Sequence, residues 1–98
     1  MQQLDVPDEM KVSVDYGDMQ IPVSAKKIKP LVYKDGDSIC VVLGPDPQEG
    51  IFGCGSNTNA ALKDWDTHLK DYLKSYKEDD EITRYIIEKI PGGLDEIR

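Results

Sequence analysis

The fold is decided by residues 28–76, which read IKPLVYKDGDSICVVLGPDPQEGIFGCGSNTNAALKDWDTHLKDYLKSY. Two runs rich in β-branched and apolar residues, 28–34 and 38–43, flank Asp35-Gly36. An Asp-Gly pair between such runs is a strong signal of a β-hairpin, because both central residues of a type I′ turn need a positive φ. The segment is therefore predicted to form two antiparallel strands.

The second of these strands and the segment after it complete a predicted three-stranded sheet. Residues 39–43 are continuously apolar, which is typical of a strand covered on both faces, so this strand is predicted to be central. A loop over 44–50 follows, with two prolines and two glycines. Residues 51–55 then form a short strand, whose glycines indicate a bulge or a close approach of backbone.

Two helices are predicted after the sheet. Ser56-Asn57 supplies an N-cap for a helix over 58–76, in which one apolar face is formed by Ala61, Leu62, Trp65, Leu69, Tyr72, Leu73 and Tyr76. Asp66 and Lys70 form a favourable i, i+4 pair. A second, short helix is predicted over 80–90 with Asp80 as its cap, although its β-branched residues leave a strand open as the alternative.

The remaining segments flank this core. Residues 1–9 are expected to be frayed, and 91–98 are expected to form a tail. Residues 10–23 alternate in polarity around Gly17-Asp18, which predicts an extra hairpin. Pro22 limits its second arm to an edge or shortens it. Whether this hairpin joins the main sheet stays open. Three lysines at 26, 27 and 29 are interpreted as a solvated strand entrance rather than a binding site.

Length and charge bound the class of protein. The chain has 98 residues, 39% hydrophobic and 32% charged, which predicts one globular domain of the α+β class. It has neither a signal-peptide pattern nor an apolar run of the ~20 residues that a membrane span needs, so a cytoplasmic location is expected. The net charge of −7 disfavours nucleic acid. It is interpreted first as a source of solubility, with a basic protein partner as the alternative.

Candidate catalytic and metal-binding residues all have a simpler interpretation. His68 is the only histidine and is placed at the rim of the helical apolar face. Asp64 and Asp66 point in different directions on a helix and cannot form a carboxylate pair. Asp35 and Asp37 fit turn chemistry better than a calcium loop. No catalytic, cofactor-binding or metal-binding residue is predicted, no cofactor is expected, and partner-binding residues are left unassigned.

Three further features of the sequence each allow both a functional and a structural interpretation. Cys40 and Cys54 are interpreted as two buried thiols rather than a functional pair, and a disulfide is not expected in a reducing compartment. The glycines of 50–55 precede a helix, as in a phosphate cradle, but their spacing is not that of a nucleotide-binding loop. Phe52 is assigned to the core in preference to a contact surface.

The order of these elements resembles the HicB-like antitoxin fold over residues 28–76. The matching residues are the hairpin at 32–36, Pro45-Asp46 after the second strand, the glycines of 50–55, the cap at Ser56-Asn57 and Ala61-Leu62 at the start of the helix. The resemblance implies a trimmed RNase H-like sheet with one packed helix. It also implies that the protein binds and blocks a small basic ribonuclease toxin.

The flanks differ from the family pattern. Many members of the family bind DNA through an appended segment, whereas the 22 residues after Tyr76 are short and acidic. Three hypotheses follow. The first is favoured: a non-catalytic interaction module of HicB type that binds a small protein partner through an acidic face or a sheet edge. Pairing of edge strands would also allow a homodimer. The alternatives are a stand-alone structural or accessory domain and an enzyme with a degenerate nuclease-like sheet.

Overall fold

The computed structural model describes residues 3–45, 48, 50–74 and 80–90. Three strands, β1 (Leu31–Asp35), β2 (Ser38–Leu43) and β3 (Ile51–Gly55), are preceded by α1 (Val23–Ile28). They are followed by α2 (Thr58–Lys74) and α3 (Glu81–Lys89). The predicted α+β class is confirmed.

The strands form one antiparallel sheet in the order β1-β2-β3, with β2 in the centre as predicted. The turn between β1 and β2 differs by one residue from the prediction. Asp35 pairs with Ser38, so the two central residues are Gly36 and Asp37, and of these only Gly36 has a positive φ, of 60°. This is the pattern of a type II′ turn, which needs glycine at its first central position only.

The two faces of the sheet have different covers. α2 packs on one face, over β3 and β2, and this layer holds the main core, including Val41, Leu43, Trp65 and Leu69. The opposite face presents Tyr33, Cys40 and Val42. Side chains on the two faces alternate along each strand, as the two-residue period of a strand requires. β2 is buried on both faces, which explains its continuous apolar sequence.

The glycines of β3 let α2 approach the sheet closely. A methyl group on Gly53 would lie 2.6 Å from the Cα of Trp65, and one on Gly55 would lie 2.6 Å from the backbone N of Ala61. Both distances are shorter than van der Waals contact, so only glycine fits under the helix at these two positions. The predicted close approach of backbone is confirmed.

Both predicted helix caps are present. The side chain of Asn57 accepts a hydrogen bond from Ala60 N at 2.8 Å, and that of Asp80 accepts one from Thr83 N at 3.0 Å. Residues 81–89 are helical, which excludes the alternative of a strand there. The predicted end of the long helix at residue 76 and the tail over 91–98 lie outside the described residues.

The segment before β1 is a helix, which corrects the prediction of a strand beginning at residue 28. α1 ends at Ile28, Lys29 takes a left-handed conformation, and the strand begins only at Leu31. The lysines therefore lie at the end of a short helix and not at a strand entrance. The reason is the spacing of Ser24, Ala25 and Ile28, which is helical and buries all three on one side of α1.

Residues 10–23 keep only the outline of the predicted hairpin. The chain turns at Gly17-Asp18, where Asp18 N donates to Asp15 O at 3.1 Å. The first arm is extended and reaches β1 through a single bridge between Lys11 and Tyr33. The second arm continues through turns into α1, because Pro22 occupies the N-cap of that helix.

Residues 3–10, called here the N-terminal strap, are not frayed as expected. Leu4, Val6 and Met10 pack against the sheet face opposite α2. Leu4 N donates to Gly44 O at 2.8 Å, and the side chain of Gln3 bonds Val42 O and Gly44 N. The strap ends in a single 3₁₀ turn, Asp8–Met10, beside β1. The strap therefore covers the face of β2 that α2 leaves open, so that β2 is buried on both faces.

Candidate functional site

His68 lies on the outer side of α2 and is bonded to the sheet. Its Nδ1 donates a hydrogen bond to the carbonyl oxygen of Phe52, and its Nε2 is 3.8 Å from Oδ1 of Asp64. The side chain is half exposed, which fits the predicted position at the rim of the apolar face. One ring nitrogen therefore faces the backbone of β3, and the other faces a side chain one turn earlier on α2.

Asp64 closes the same edge of the sheet. Its Oδ2 accepts a hydrogen bond from Cys54 N at 3.0 Å. This bond and that from His68 show that Cys54 N–H and the Phe52 carbonyl face away from β2, toward the outer edge of β3. Unpaired groups on an edge strand are a template for pairing with another chain. Asp64 and His68 occupy two of these groups, so the β3 edge is partly closed.

Asp66 is engaged on the opposite side of α2. Its Oδ1 accepts a hydrogen bond from the hydroxyl of Ser24, which is buried in α1, and its Oδ2 is 2.9 Å from Nζ of Lys70. The predicted pair of Asp66 with Lys70 is confirmed. Asp64 and Asp66 bind different elements, as their spacing on a helix predicts. Together they fix α2 to β3 on one side and to α1 on the other.

The outer edge of β1 is partly covered as well. Val12 N donates to Val32 O at 2.9 Å, next to the bridge between Lys11 and Tyr33. Beyond this contact, an open cleft of about 370 Å³ lies between the N-terminal residues and the start of β1, with Lys11 and Lys29 among its lining residues. Lys11 already pairs with Asp8 at 3.1 Å, and Lys29 lies 5.8 Å from the ring centre of Tyr16.

The two cysteines are joined, which corrects the interpretation of them as free thiols. Cys40 on β2 lies directly opposite Cys54 on β3, with their Cα atoms 4.1 Å apart, and the sulfur atoms form a disulfide. Adjacent strands of the right register bring the pair together, and the register could not be read from the sequence. Cys40 is buried, whereas Cys54 is half-buried.

The glycine segment is not a phosphate cradle. The backbone of α2 lies directly against Gly53 and Gly55, so these glycines serve the approach of the helix to the sheet. Phe52 packs, partly exposed, against the sheet face under the N-terminal strap, in agreement with its assignment to a core. In the part of the chain that the structure describes, no group of three or more His, Cys, Asp or Glu residues is placed to hold a metal ion.

Exposed carboxylates gather at one end of the sheet. Asp35 and Asp37 lie on either side of Gly36 at the tip of the β1–β2 hairpin, and both are exposed. Asp8 and Glu9 are exposed in the 3₁₀ turn, which contacts β1. The bridge from Lys11 to Tyr33 is antiparallel, so the residues before Lys11 run toward the hairpin tip. These four residues are called here the acidic end.

Comparisons with family models, curated proteins and solved structures found no match to this chain. Within the described residues, none of the helices has the length and apolar character needed to cross a bilayer. The site must therefore be interpreted from its own geometry.

Sequence reasoning missed the residues that close the sheet. The sequence suggests Asp64 only as half of a carboxylate pair, and it gives no signal for Ser24. Leu4 and Val6 carried a usable signal, because they continue the two-residue alternation seen further along the N-terminal segment. The bonds of Asp64 and His68 to β3 had no such signal, since they depend on how the helix lies on the strand.

Proposed function

We propose that this chain is a non-catalytic protein-interaction module of the HicB antitoxin type, and that it binds and neutralises a small basic ribonuclease toxin. The observation that carries the proposal is the acidic end, where Asp8, Glu9, Asp35 and Asp37 are exposed on two neighbouring elements of a chain with net charge −7. A concentrated acidic surface steers a basic partner and fixes its orientation.

The sheet and helix support the resemblance on which this proposal rests. The residues that resemble the family fold in the order β1, β2, β3 and α2, with the glycines of β3 under the helix. Two polar residues of α2, Asp64 and His68, are bonded to the backbone of β3. Both side chains therefore help to hold α2 on β3, a structural role that is consistent with a non-catalytic module.

The geometry favours the acidic end over the sheet edges as the contact surface. Asp64 and His68 occupy part of the β3 edge, and Val12 occupies part of the β1 edge. Strand addition needs a row of unpaired backbone groups. A homodimer formed by edge pairing is disfavoured for the same reason.

The test is a calorimetric titration of the purified chain with the product of a neighbouring gene, if that gene encodes a short basic protein. The triple variant Glu9→Gln/Asp35→Asn/Asp37→Asn should bind roughly tenfold more weakly, since three screened ion pairs of about 0.5 kcal/mol each give this change. The control Asp71→Asn/Glu81→Gln/Glu88→Gln removes the same charge from exposed positions on α2 and α3 and should bind like the wild type.

Two results would contradict the proposal. If both triple variants weaken binding equally, net charge rather than the acidic end determines the affinity. If no small basic protein binds and deletion of the gene causes no toxicity, the chain is a stand-alone accessory domain.

A further inference from the structure

We propose that the disulfide between Cys40 and Cys54 is a reversible redox switch that controls the packing of the N-terminal strap on the sheet. This inference is independent of the proposed partner. It rests on three observations: the position of the cysteine pair, the residues that cover it and the way in which the strap is held.

The pair lies one position in from the end of the β2–β3 ladder nearest the β1–β2 turn, on the face opposite α2. Cys54 N–H faces Asp64 and not β2, so Cys40 and Cys54 occupy a non-hydrogen-bonded position of the antiparallel pair. At such positions side chains come closest to one another. The two sulfur atoms are therefore held together by the sheet itself, and the bond can re-form after it has been opened.

The strap covers the disulfide thinly. Leu4, Val6 and Met10 pack in the same cluster as Cys40, and all three are only half-buried. Cys54 is half-buried too, although Cys40 and Val42 beneath the strap are buried. A local opening of the strap exposes the sulfur atoms without disturbing the main core.

Few bonds hold the strap in place. Its first residues are fixed by the bond from Leu4 N to Gly44 O and by two bonds of the Gln3 side chain, to Val42 O and Gly44 N. All three bonds reach the end of β2, at one end of the strap. Between this end and the 3₁₀ turn, the position of the strap depends on apolar packing against the cluster that contains Cys40 and on one long, exposed ion pair of Asp5 with Lys11, at 4.0 Å.

Reduction changes that packing. A dithiol reductant transfers two electrons and two protons, the S–S bond breaks, each cysteine becomes a thiol, and the reductant becomes a cyclic disulfide. The sulfur atoms then move from a bond of about 2.05 Å to non-bonded contact. Because strands hold the two Cα atoms 4.1 Å apart, the extra volume is directed outward, toward Leu4, Val6 and Met10. The strap loosens as a result.

The experiment measures amide hydrogen exchange of the full chain by mass spectrometry, with and without dithiothreitol. Without reductant, the intact mass should show no thiol that reacts with iodoacetamide, and with reductant it should show two. Reduction should accelerate exchange of residues 4–12 roughly tenfold while residues 61–73 of α2 keep their rate. Removal of the reductant and exposure to air should restore slow exchange.

A Cys40→Ala/Cys54→Ala variant is the control, since its exchange should not respond to dithiothreitol. The proposal is overturned if the protein purified without reductant already carries two reactive thiols. It is also overturned if reduction leaves exchange of residues 4–12 unchanged, or if it accelerates exchange equally throughout the chain. The last result would mean that the disulfide supports the whole fold and not the strap.

Discussion

The phenol of Tyr72 donates a hydrogen bond to Oδ2 of Asp80, the same oxygen that caps α3. Thr83 Oγ1 also donates to this oxygen, at 2.9 Å. One carboxylate thus joins the last turns of α2 to the first turn of α3 across the residues that separate the two helices. The position of α3 on the domain depends on this contact as well as on its buried apolar residues, Ile82 and Ile86.

Stability is expected to fall at alkaline pH because of Tyr72. Burial, and then the hydrogen bond to Asp80, raise the pKa of Tyr72 above its ordinary value of 10.0. The neutral phenol therefore stabilises the folded state fully below pH 10, and this contribution is lost as the pH rises above 10. Tyr72→Phe should cost about 1 kcal/mol at pH 7 and should flatten the loss of stability above pH 10.

Urea unfolding of the wild type and the variant from pH 7 to 11 checks this prediction. Tyr85→Phe is the matched control, since Tyr85 is a half-buried residue of α3 and the substitution keeps its ring. Comparison with this variant separates the loss of a tyrosine hydroxyl from the loss of the bond to Asp80. If the free energy of unfolding depends on pH in the same way for the wild type and Tyr72→Phe, the bond to Asp80 does not contribute to the loss of stability at high pH.

Gly53→Ala is expected to destabilise the domain far more than Gly36→Ala. At Gly53 the added methyl group would lie 2.6 Å from the Cα of Trp65, so α2 would have to move off the sheet, at a cost of about 3 kcal/mol. At Gly36 no described heavy atom lies within 4 Å, and only the positive φ of 60° opposes a side chain, at about 1 kcal/mol. Chemical denaturation of both variants checks the difference, and equal losses would contradict the close packing of α2 on β3.

Much of the fold could be predicted because the signals were local. The continuous apolar run of β2, the helical spacing from Ala61 to Leu73 and the caps at Asn57 and Asp80 each lie within one segment. Such signals depend on the period of one helix or strand and on its terminal residues, and these do not need the rest of the chain.

The candidate site was less predictable because it depends on contacts between segments. Cys40 and Cys54 meet only through the β2–β3 register, and the strap is defined by the face on which it packs. α1 was missed because it is only six residues long and its lysines obscured the spacing of its apolar residues. The family resemblance and the toxin partner stay predictions.

Loss of Asp64 and His68 together is expected to cause self-association. These two side chains occupy groups at the outer edge of β3, and their exposures of 43% and 50% show that they are accessible from solvent. In Asp64→Ala/His68→Ala the freed edge can pair with another chain, so the apparent mass should rise with concentration in sedimentation velocity. The control Thr67→Ala/Asp71→Ala also removes one aspartate, from exposed positions on α2. Its apparent mass should not depend on concentration. A double variant that also stays at one mass would show that the edge is protected by other means.

At Lys29, a glycine variant is expected to be more stable than an alanine variant, which is the reverse of the order inside a helix. It has a φ of 54° and a ψ of 63°, and it is the only non-glycine residue with a positive φ in the described part of the chain. Because this left-handed conformation is costly for any residue with a Cβ, Lys29→Gly should be about 1 kcal/mol more stable than Lys29→Ala. Both variants lose the contact with Tyr16, so that contact cancels in the comparison. At Lys26, within α1, the glycine variant should instead be about 1 kcal/mol less stable than the alanine variant. Urea unfolding of the four variants measures both differences, and the same sign at the two positions would contradict a left-handed Lys29 at the end of α1.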